Sequence, residues 1–274
     1  GHPVEGQPNM GKVLELTMHN GFDPRTQKQI GPKTGELEDF KDFEELYAAF
    51  QQQTDFQQEV LRRGSWVASM LTADFIPVMW RSILTKGCIE TGLETWNGGA
   101  NYYPVAHICV GGVDAANGLM AVKDLVFDKK KVTGAELKEA LLANWEGYED
   151  MRKMFYEEAP KYGNDIDEVD KLLLRVNNSI LAAFNNVDGG GYYISKDPNS
   201  TLDQYTKSIH NLMGLITGAL PTGKYAGVAL TEGSLSAMPG TDTQGATARV
   251  MSAATGNSTD KSSTSHRHFK HPPE

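Results

Sequence analysis

The stretch "APKYGNDIDEVD" (Ala159–Asp170) is dense enough in acids to hold a cation, which makes it the first place to look for chemistry. A calcium loop opening at Asp165 needs an oxygen ligand at its fifth position, glycine at its sixth and glutamate at its twelfth. The chain has Val169, Asp170 and Val176 at those positions, so the calcium reading fails. The same residues make a good helix–helix corner. Pro160 follows a helical run, Gly163 can take a positive φ, and Asp165 with Glu168 three residues on is placed to cap the next helix.

Three other groups could carry chemistry. Cys88 stands in "KGCIETGLE", with Glu90 two residues on and Glu94 beyond. A cysteine near a carboxylate can relay a hydrogen atom or a proton, whereas a buried free cysteine is only a small apolar core residue; residue chemistry alone favours the second. "GALPTGKY" (Gly218–Tyr225) has the glycine and lysine spacing of a phosphate loop. Tyr225, however, replaces the hydroxyl residue that would hold magnesium, Pro221 removes an amide, and "SIHNLMGLITGAL" before it reads as helix where a strand is required. His266, His268 and His271 crowd the tail without an acid or cysteine framework, so no metal site is expected there.

The elements that must position these groups are set by periodicity. "DFKDFEELYAAFQQQTDFQQEVLRR" places Phe43, Leu46, Tyr47 and Phe50 at helical spacing. "TGAELKEALLANWEGYEDMRKMFYEEA" reads as one long helix. It opens on a Thr133/Glu136 capping box, with Leu137, Leu141 and Trp145 stacked on one face. "DEVDKLLLRVNNSILAAF" carries a stripe of Val169, Leu172, Leu173, Val176 and Ile180. Short strands are expected at Ala106–Val110 and Gly191–Ser195, and from Gly218 onward the chain reads as glycine- and threonine-rich loop. The segment Trp66–Leu84 is apolar but interrupted by Asp74, Pro77 and Arg81, so it is expected as buried core rather than a membrane span.

Bulk properties exclude several classes. The 274 residues carry a formal net charge of −9 and no basic stripe, which disfavours a nucleic-acid partner. With 39% hydrophobic and 22% charged residues the composition is that of a folded globular protein. Two cysteines form no disulfide framework, and no charged n-region precedes an apolar h-region, so a reduced cytoplasmic setting is expected. The final twenty residues are polar and are expected to be poorly ordered alone.

Seven stretches together resemble the glycyl radical enzymes, the pyruvate formate-lyase superfamily. They are "KVLELTMHNGFDPRTQKQIGPKTGE", "NGGANYY", "AVKDLVFD", "LLANWEGYEDMR", "APKYGND", "ALPTGKYAG" and "GSLSAMPGTDTQGATA". They follow one another in the family's order from Lys12 to Ser252. The wording of ALPTGK leans toward the arylacetate decarboxylases, and that of "YYPVAHICVGGVDAAN" toward the benzylsuccinate-synthase-like branch.

The resemblance implies an α/β fold: roughly the C-terminal half of a ten-stranded barrel, with many helices around short strands. Residues 1–255 are then a partial barrel domain and 256–274 a polar tail, with the glycyl radical domain absent. It implies radical chemistry on a small organic acid, such as arylacetate decarboxylation or fumarate addition. No cofactor is bound directly; the intact enzyme carries a glycyl radical installed by a radical-SAM activase, and it works as a homodimer in an anaerobe's cytoplasm. Pocket residues implied by the resemblance are Tyr192, Tyr193 and Ile194, with Glu94 a weaker acid/base candidate. The family's R-V-x-G-Y radical motif is not matched by "RVNN" or "RVMS". Cys88 follows the "LEL" segment that the family's thiyl cysteine precedes, so the thiyl residue is expected outside the chain. Asn117 and Gly118 replace the Asp-Ser of many members, and Ala246 replaces a proline. The rival reading is a non-catalytic split subunit that completes or binds a partner barrel. Either way, the chain alone is expected to be inactive and to self-associate.

Overall fold

A computed structural model describes residues 4–101, 106–185, 201–203, 209–233 and 235–256. A short strand, β1 (Val4–Gly6), leads into helix α1 (Met10–Met18), whose every residue is buried. Asn9 starts that helix by accepting the Lys12 N–H at 2.9 Å on its side chain. A two-residue hairpin follows, β2 (Phe22–Asp23) against β3 (Lys28–Gln29). Next comes the 33-residue helix α2 (Phe43–Phe75), about 50 Å long at 1.5 Å per residue. Two short helices, α3 (Met79–Ile83) and α4 (Cys88–Thr91), come before strand β4 (Ala106–Ile108). Helix α5 (Gly112–Val122) runs into a wider π-helical turn at Lys123–Asp128. The chain continues through α6 (Gly134–Leu142), α7 (Glu149–Glu157), α8 (Asp167–Asn185), β5 (Thr201–Asp203), α9 (Ile209–Leu215) and α10 (Gly245–Gly256). This is a helix-rich α/β fold with few strands.

The strands β1, β4 and β5 form one parallel sheet in that order, each connection crossing over through helices. The β1–β4 pairing extends beyond the strands, with Met10 N–H donating to the Val110 carbonyl at 2.8 Å. Helices α1, α2, α5, α8 and α10 pack on one another around a single apolar cluster. The expected stripes sit in it: Phe43, Leu46, Tyr47 and Phe50 from α2, and Val169, Leu172, Leu173, Val176 and Ile180 from α8. Gly118 lets α1 approach α5, since a Cβ there would lie 2.4 Å from Leu14 Cδ2.

Several expectations are corrected. Within Trp66–Leu84, expected as buried core, the described apolar side chains from Val67 to Leu84 are largely exposed. Among its described side chains, helix α2 has no buried one beyond Gln58. Beyond it Phe75 is 76%, Trp80 77% and Leu84 82% exposed. No described element covers them, which is why apolar composition alone does not bury them.

The long helix predicted from Thr133 is two helices. The capping box forms, with Glu136 N–H donating to Thr133 Oγ1 at 3.2 Å and Thr133 N–H to Glu136 Oε2 at 2.8 Å. The helix then breaks where Asn144, Trp145 and Gly147 take positive φ. The break turns the Trp145 indole into the core, where its Nε1 donates to the Lys224 carbonyl at 3.1 Å. Burying a large aromatic with a satisfied N–H outweighs the loss of one helical turn.

At the corner, Gly163 does take a positive φ of 96°, but Asp165 is not the cap of α8. Asp165 itself stands at φ 56° and donates its own N–H to Ser252 Oγ at 2.9 Å. The helix α10 in the glycine-rich C-terminal region has no apolar stripe strong enough to announce it. Its buried positions are Arg249, Ser252 and Gly256. The strand expected at Gly191–Ser195 and the tail from 257 lie outside the described residues.

Candidate functional site

Cys88 and Glu94 are brought together in one loop. Gly87 opens it at φ 103°, a conformation that a side chain would resist, and a Cβ there would strike Gly99 O at 2.6 Å. Asn101 N–H donates to Lys86 O at 3.0 Å, tying "KGCIE" to the "NGGAN" turn. Cys88 is buried, with its Sγ 3.6 Å from Thr95 Oγ1. Glu94 caps the short turn Thr95–Asn97, accepting the Trp96 N–H at 2.5 Å on Oε2, while Ser82 Oγ donates to its Oε1 at 3.2 Å. Glu90 accepts the Gly87 N–H at 3.0 Å. Both carboxylates therefore act on backbone amides. Tyr192, Tyr193 and Ile194 lie outside the described residues. Cys109 is buried, and burial pushes its thiol up to about 12, which leaves little thiolate for chemistry.

The motif segments enclose charges that periodicity did not single out. Lys12 Nζ lies 2.7 Å from Glu15 Oε2 and 2.9 Å from Asp23 Oδ1, all three residues being buried. Gly218 N–H donates to the same Glu15 oxygen at 2.7 Å, joining "LEL" to "GALPTGK". Burial raises the Glu15 carboxyl against the pull of Lys12. At Asp23 burial acts upward too, but hydrogen bonds from Lys12 and Thr26 hold the group below its ordinary value. His19 is pushed down to about 4 by burial, with Lys138 and Lys12 adding to the effect. A base and an acid three residues apart inside an otherwise apolar helix was the readable signal for this cluster.

Lys224, the lysine of the false phosphate loop, is spent on structure. Its Nζ pairs with the buried Asp114 Oδ1 at 2.6 Å and donates to the Ala229 carbonyl at 2.5 Å. Leu220 and Lys224 close the turn as an isolated antiparallel bridge. In "PKYGND", Lys161 Nζ donates to the carbonyls of Phe155 at 2.8 Å and Ala159 at 2.9 Å, and burial lowers it to about 8. Asn117 accepts the Tyr162 N–H at 2.9 Å, and Asn164 accepts the Thr243 N–H at 2.8 Å. The motif polar groups thus connect distant segments to one another. Among the described residues no group of three or more His, Cys, Asp or Glu could hold a metal ion. No described helix is long and apolar enough to cross a membrane.

A parallel sheet with helical crossovers, its motif segments tied to one another, places the chain among the helix-rich α/β proteins. The chain belongs to the pyruvate formate lyase-like family of glycyl radical enzymes: a family model described as pyruvate formate lyase-like matches residues 2–206. It is 36% identical over 256 residues to trans-4-hydroxy-L-proline dehydratase of Clostridioides difficile, covering 92% of this chain and 31% of that one. It is 30% identical over 284 residues to indoleacetate decarboxylase of Tractidigestivibacter scatoligenes, with the same 92% and 31% coverage. The crystal structure of hydroxyproline dehydratase from C. difficile, with trans-4-hydroxy-L-proline bound, superposes with a TM-score of 0.85 at 34% identity. The superposition covers 93% of this chain and 31% of that one. The chain therefore spans about a third of the length of these relatives. They are enzymes, dehydratases and decarboxylases acting on small organic substrates.

Proposed function

We propose that this chain is part of the barrel of a glycyl radical enzyme, residues 1–255 forming roughly the C-terminal half of a ten-stranded barrel. The whole protein carries out radical C–C or C–O bond chemistry on a small organic acid, with arylacetate decarboxylation or fumarate addition as forms suggested by its motif wording. The thiyl cysteine and the radical glycine lie outside residues 1–274. The glycyl radical, installed by a radical-SAM activase, supplies the hydrogen-atom chemistry. The described residues build and brace the wall around it. Tyr192, Tyr193 and Ile194 contribute to the substrate pocket. Cys88 and Glu94 hold the loop ahead of the "GGA" turn.

The observation that carries this reading is the unfinished surface. Strands β1 and β5 are the outer strands of the sheet among the described residues, and large apolar side chains from the end of α2 through α4, Phe75, Trp80 and Leu84 among them, are exposed. Open edges and large apolar patches mark surfaces that another polypeptide covers. The test is to co-express the chain with a polypeptide spanning the other two thirds of the family's length, then treat the product anaerobically with a radical-SAM activase. Co-purification, a glycyl radical signal in electron paramagnetic resonance and turnover of an organic acid support the reading. A complex that forms but takes no radical favours a split structural subunit. Failure to form any complex sinks both.

A further inference from the structure

Helix α10 is held to α8 without an apolar anchor. Its buried positions are Arg249, Ser252 and Gly256, and none of its residues belongs to the apolar cluster of the described core. Its large apolar side chains face outward, Val250 being 66% and Met251 49% exposed. Close approach and hydrogen bonds hold it instead. A Cβ on Gly256 would lie 3.1 Å from Leu173 Cδ2 and 3.3 Å from Tyr162 Cε2, so the end of α10 is pressed onto α8 and the corner before it. Asn177 Nδ2 donates to the Gly256 carbonyl at 3.2 Å, and the Asp165 N–H to Ser252 Oγ at 2.9 Å. Elements that bury little apolar surface are the ones that open first.

Under this contact lies a fully buried acid, Asp170, one turn before Leu173 on α8. Ser252 acts on it and Gly256 packs on Leu173, so the turn Ser252–Gly256 covers the turn Asp170–Leu173. Among the described residues the charges acting on Asp170 are those of Asp165 and Asp167, both of its own sign. The Ser252 hydroxyl is the group that favours its charged form. Cations of the packed elements are engaged with other acids. Arg249 of α10 pairs with Asp242 at 3.3 Å, Lys123 after α5 with Glu168 at 2.8 Å, and Lys224 with Asp114 of α5 at 2.6 Å. On α8 itself Lys171 pairs with Asp167 at 2.6 Å, and Arg175 with Glu44 of α2 at 2.6 Å. Tyr162 stays neutral, since burial pushes its phenol well up. Burial likewise raises the Asp170 carboxyl to about 6 from 3.8. With α10 lifted, water reaches the carboxylate and removes that cause. The docked state thus binds the proton more tightly, and docking weakens as pH rises from about 3.8 to 6.

We infer that α10 is a pH-sensitive latch on α8: its hold weakens as Asp170 ionises, and its release exposes the turn Asp170–Leu173 while the rest of the core stays folded. The inference does not rest on radical turnover, because its readout is local opening.

Hydrogen exchange of the full chain tests it, read by mass spectrometry on peptides of α10 and α1 and corrected for the intrinsic rate at each pH. Opening of α10 is expected to be about tenfold more frequent at about pH 7.5 than at about pH 5. Exchange of α1, which opens only with the whole core, is expected not to rise with it. In Asp170→Asn the α10 difference should shrink to within about twofold. Ser252→Ala keeps the acid and removes its hydroxyl partner. It should open α10 more at both pH values and keep at least the parent's pH dependence, even where Asp170→Asn does not fold. Equal α10 opening at the two pH values in the parent or in Ser252→Ala overturns the inference. So does a pH dependence that survives Asp170→Asn, or α1 exchange that rises in step with α10.

Discussion

Lys224 and Asp114, distant in sequence, form an ion pair at 2.6 Å with the carboxylate fully buried. The other Asp114 oxygen, Oδ2, accepts the Thr231 N–H at 2.7 Å, so one aspartate at the start of α5 anchors both arms of the glycine-rich segment. Removing the lysine alone leaves a buried charge without its partner. Lys224→Met is expected to destabilise the fold by about 3–5 kcal/mol, and the double variant with Asp114→Asn by clearly less. Urea unfolding of the two variants measures the difference. Equal losses would mean that the pair is not the source of the penalty.

Gly118 predicts a second effect. With Leu14 Cδ2 2.4 Å from a built Cβ, Gly118→Ser forces the buried Leu14 side chain to shift in the core and is expected to cost about 1–3 kcal/mol. Combining it with Leu14→Ala makes room for the added atoms, so the double variant should lose less than the sum of the single losses. Strict additivity in chemical denaturation would count against the contact.

Two buried groups oppose each other in pH. Burial raises Asp170 to about 6 from 3.8, against a lowering contribution from Ser252. The native state keeps a proton that the unfolded chain gives up, so this group's contribution to stability falls as pH rises from about 3.8 to 6. His19 is held at about 4 from 6.5, so the unfolded chain binds the proton first and stability falls as pH drops through that window. The slopes largely cancel. Asp170→Asn removes the first, and relative to the parent it should gain roughly 1–3 kcal/mol between pH 4 and pH 7. A difference in urea midpoint that stays flat across this range would refute the assignment.

Cys88 and Glu94 are separable by their expected losses. Glu94→Ala removes the acceptor for the Trp96 N–H and should cost about 0.5–2 kcal/mol, as loss of a cap does. In the reconstituted enzyme Cys88→Ala should keep its rate within about threefold, far from the loss that follows removal of a nucleophile. Loss of all turnover with the glycyl radical still formed would instead make Cys88 the thiyl residue.

The exposed α2–α4 face makes the last prediction. Alone, the chain should self-associate and bind a hydrophobic dye such as ANS. Trp80→Ser with Leu84→Glu, at two of its most exposed apolar positions, should raise the monomer fraction in sedimentation without lowering Tm. An unchanged distribution would show that association uses another surface, the sheet edges being the next to test.

Much of the fold was legible because local rules and tertiary needs agreed. The stripes of α2 and α8, the Thr133 capping box and the glycine at the 163 corner are set by neighbours within four residues. They failed where a distant contact outweighed the local preference. Trp145 leaves the helix its spacing favours because the Lys224 carbonyl and Phe155 receive it. Asp165 does not cap because its backbone stands at φ 56°, outside the extended conformation of a cap residue, where Ser252 Oγ accepts its N–H.

The sequence by itself determined the family, since seven ordered segments carry it, and it determined the helices whose periodicity is unbroken. Only the tertiary structure decided which charges are buried and paired. Lys12, Glu15, Asp23, Asp114 and Lys224 look like surface residues in a string of letters. Lys12 and Glu15 share one helix, but Asp23, Gly218, Asp114 and Lys224 meet their partners from separate segments only when the chain packs. It decided too that the apolar side chains from Val67 to Leu84 lie open, because burial depends on what packs over a segment as well as on its composition.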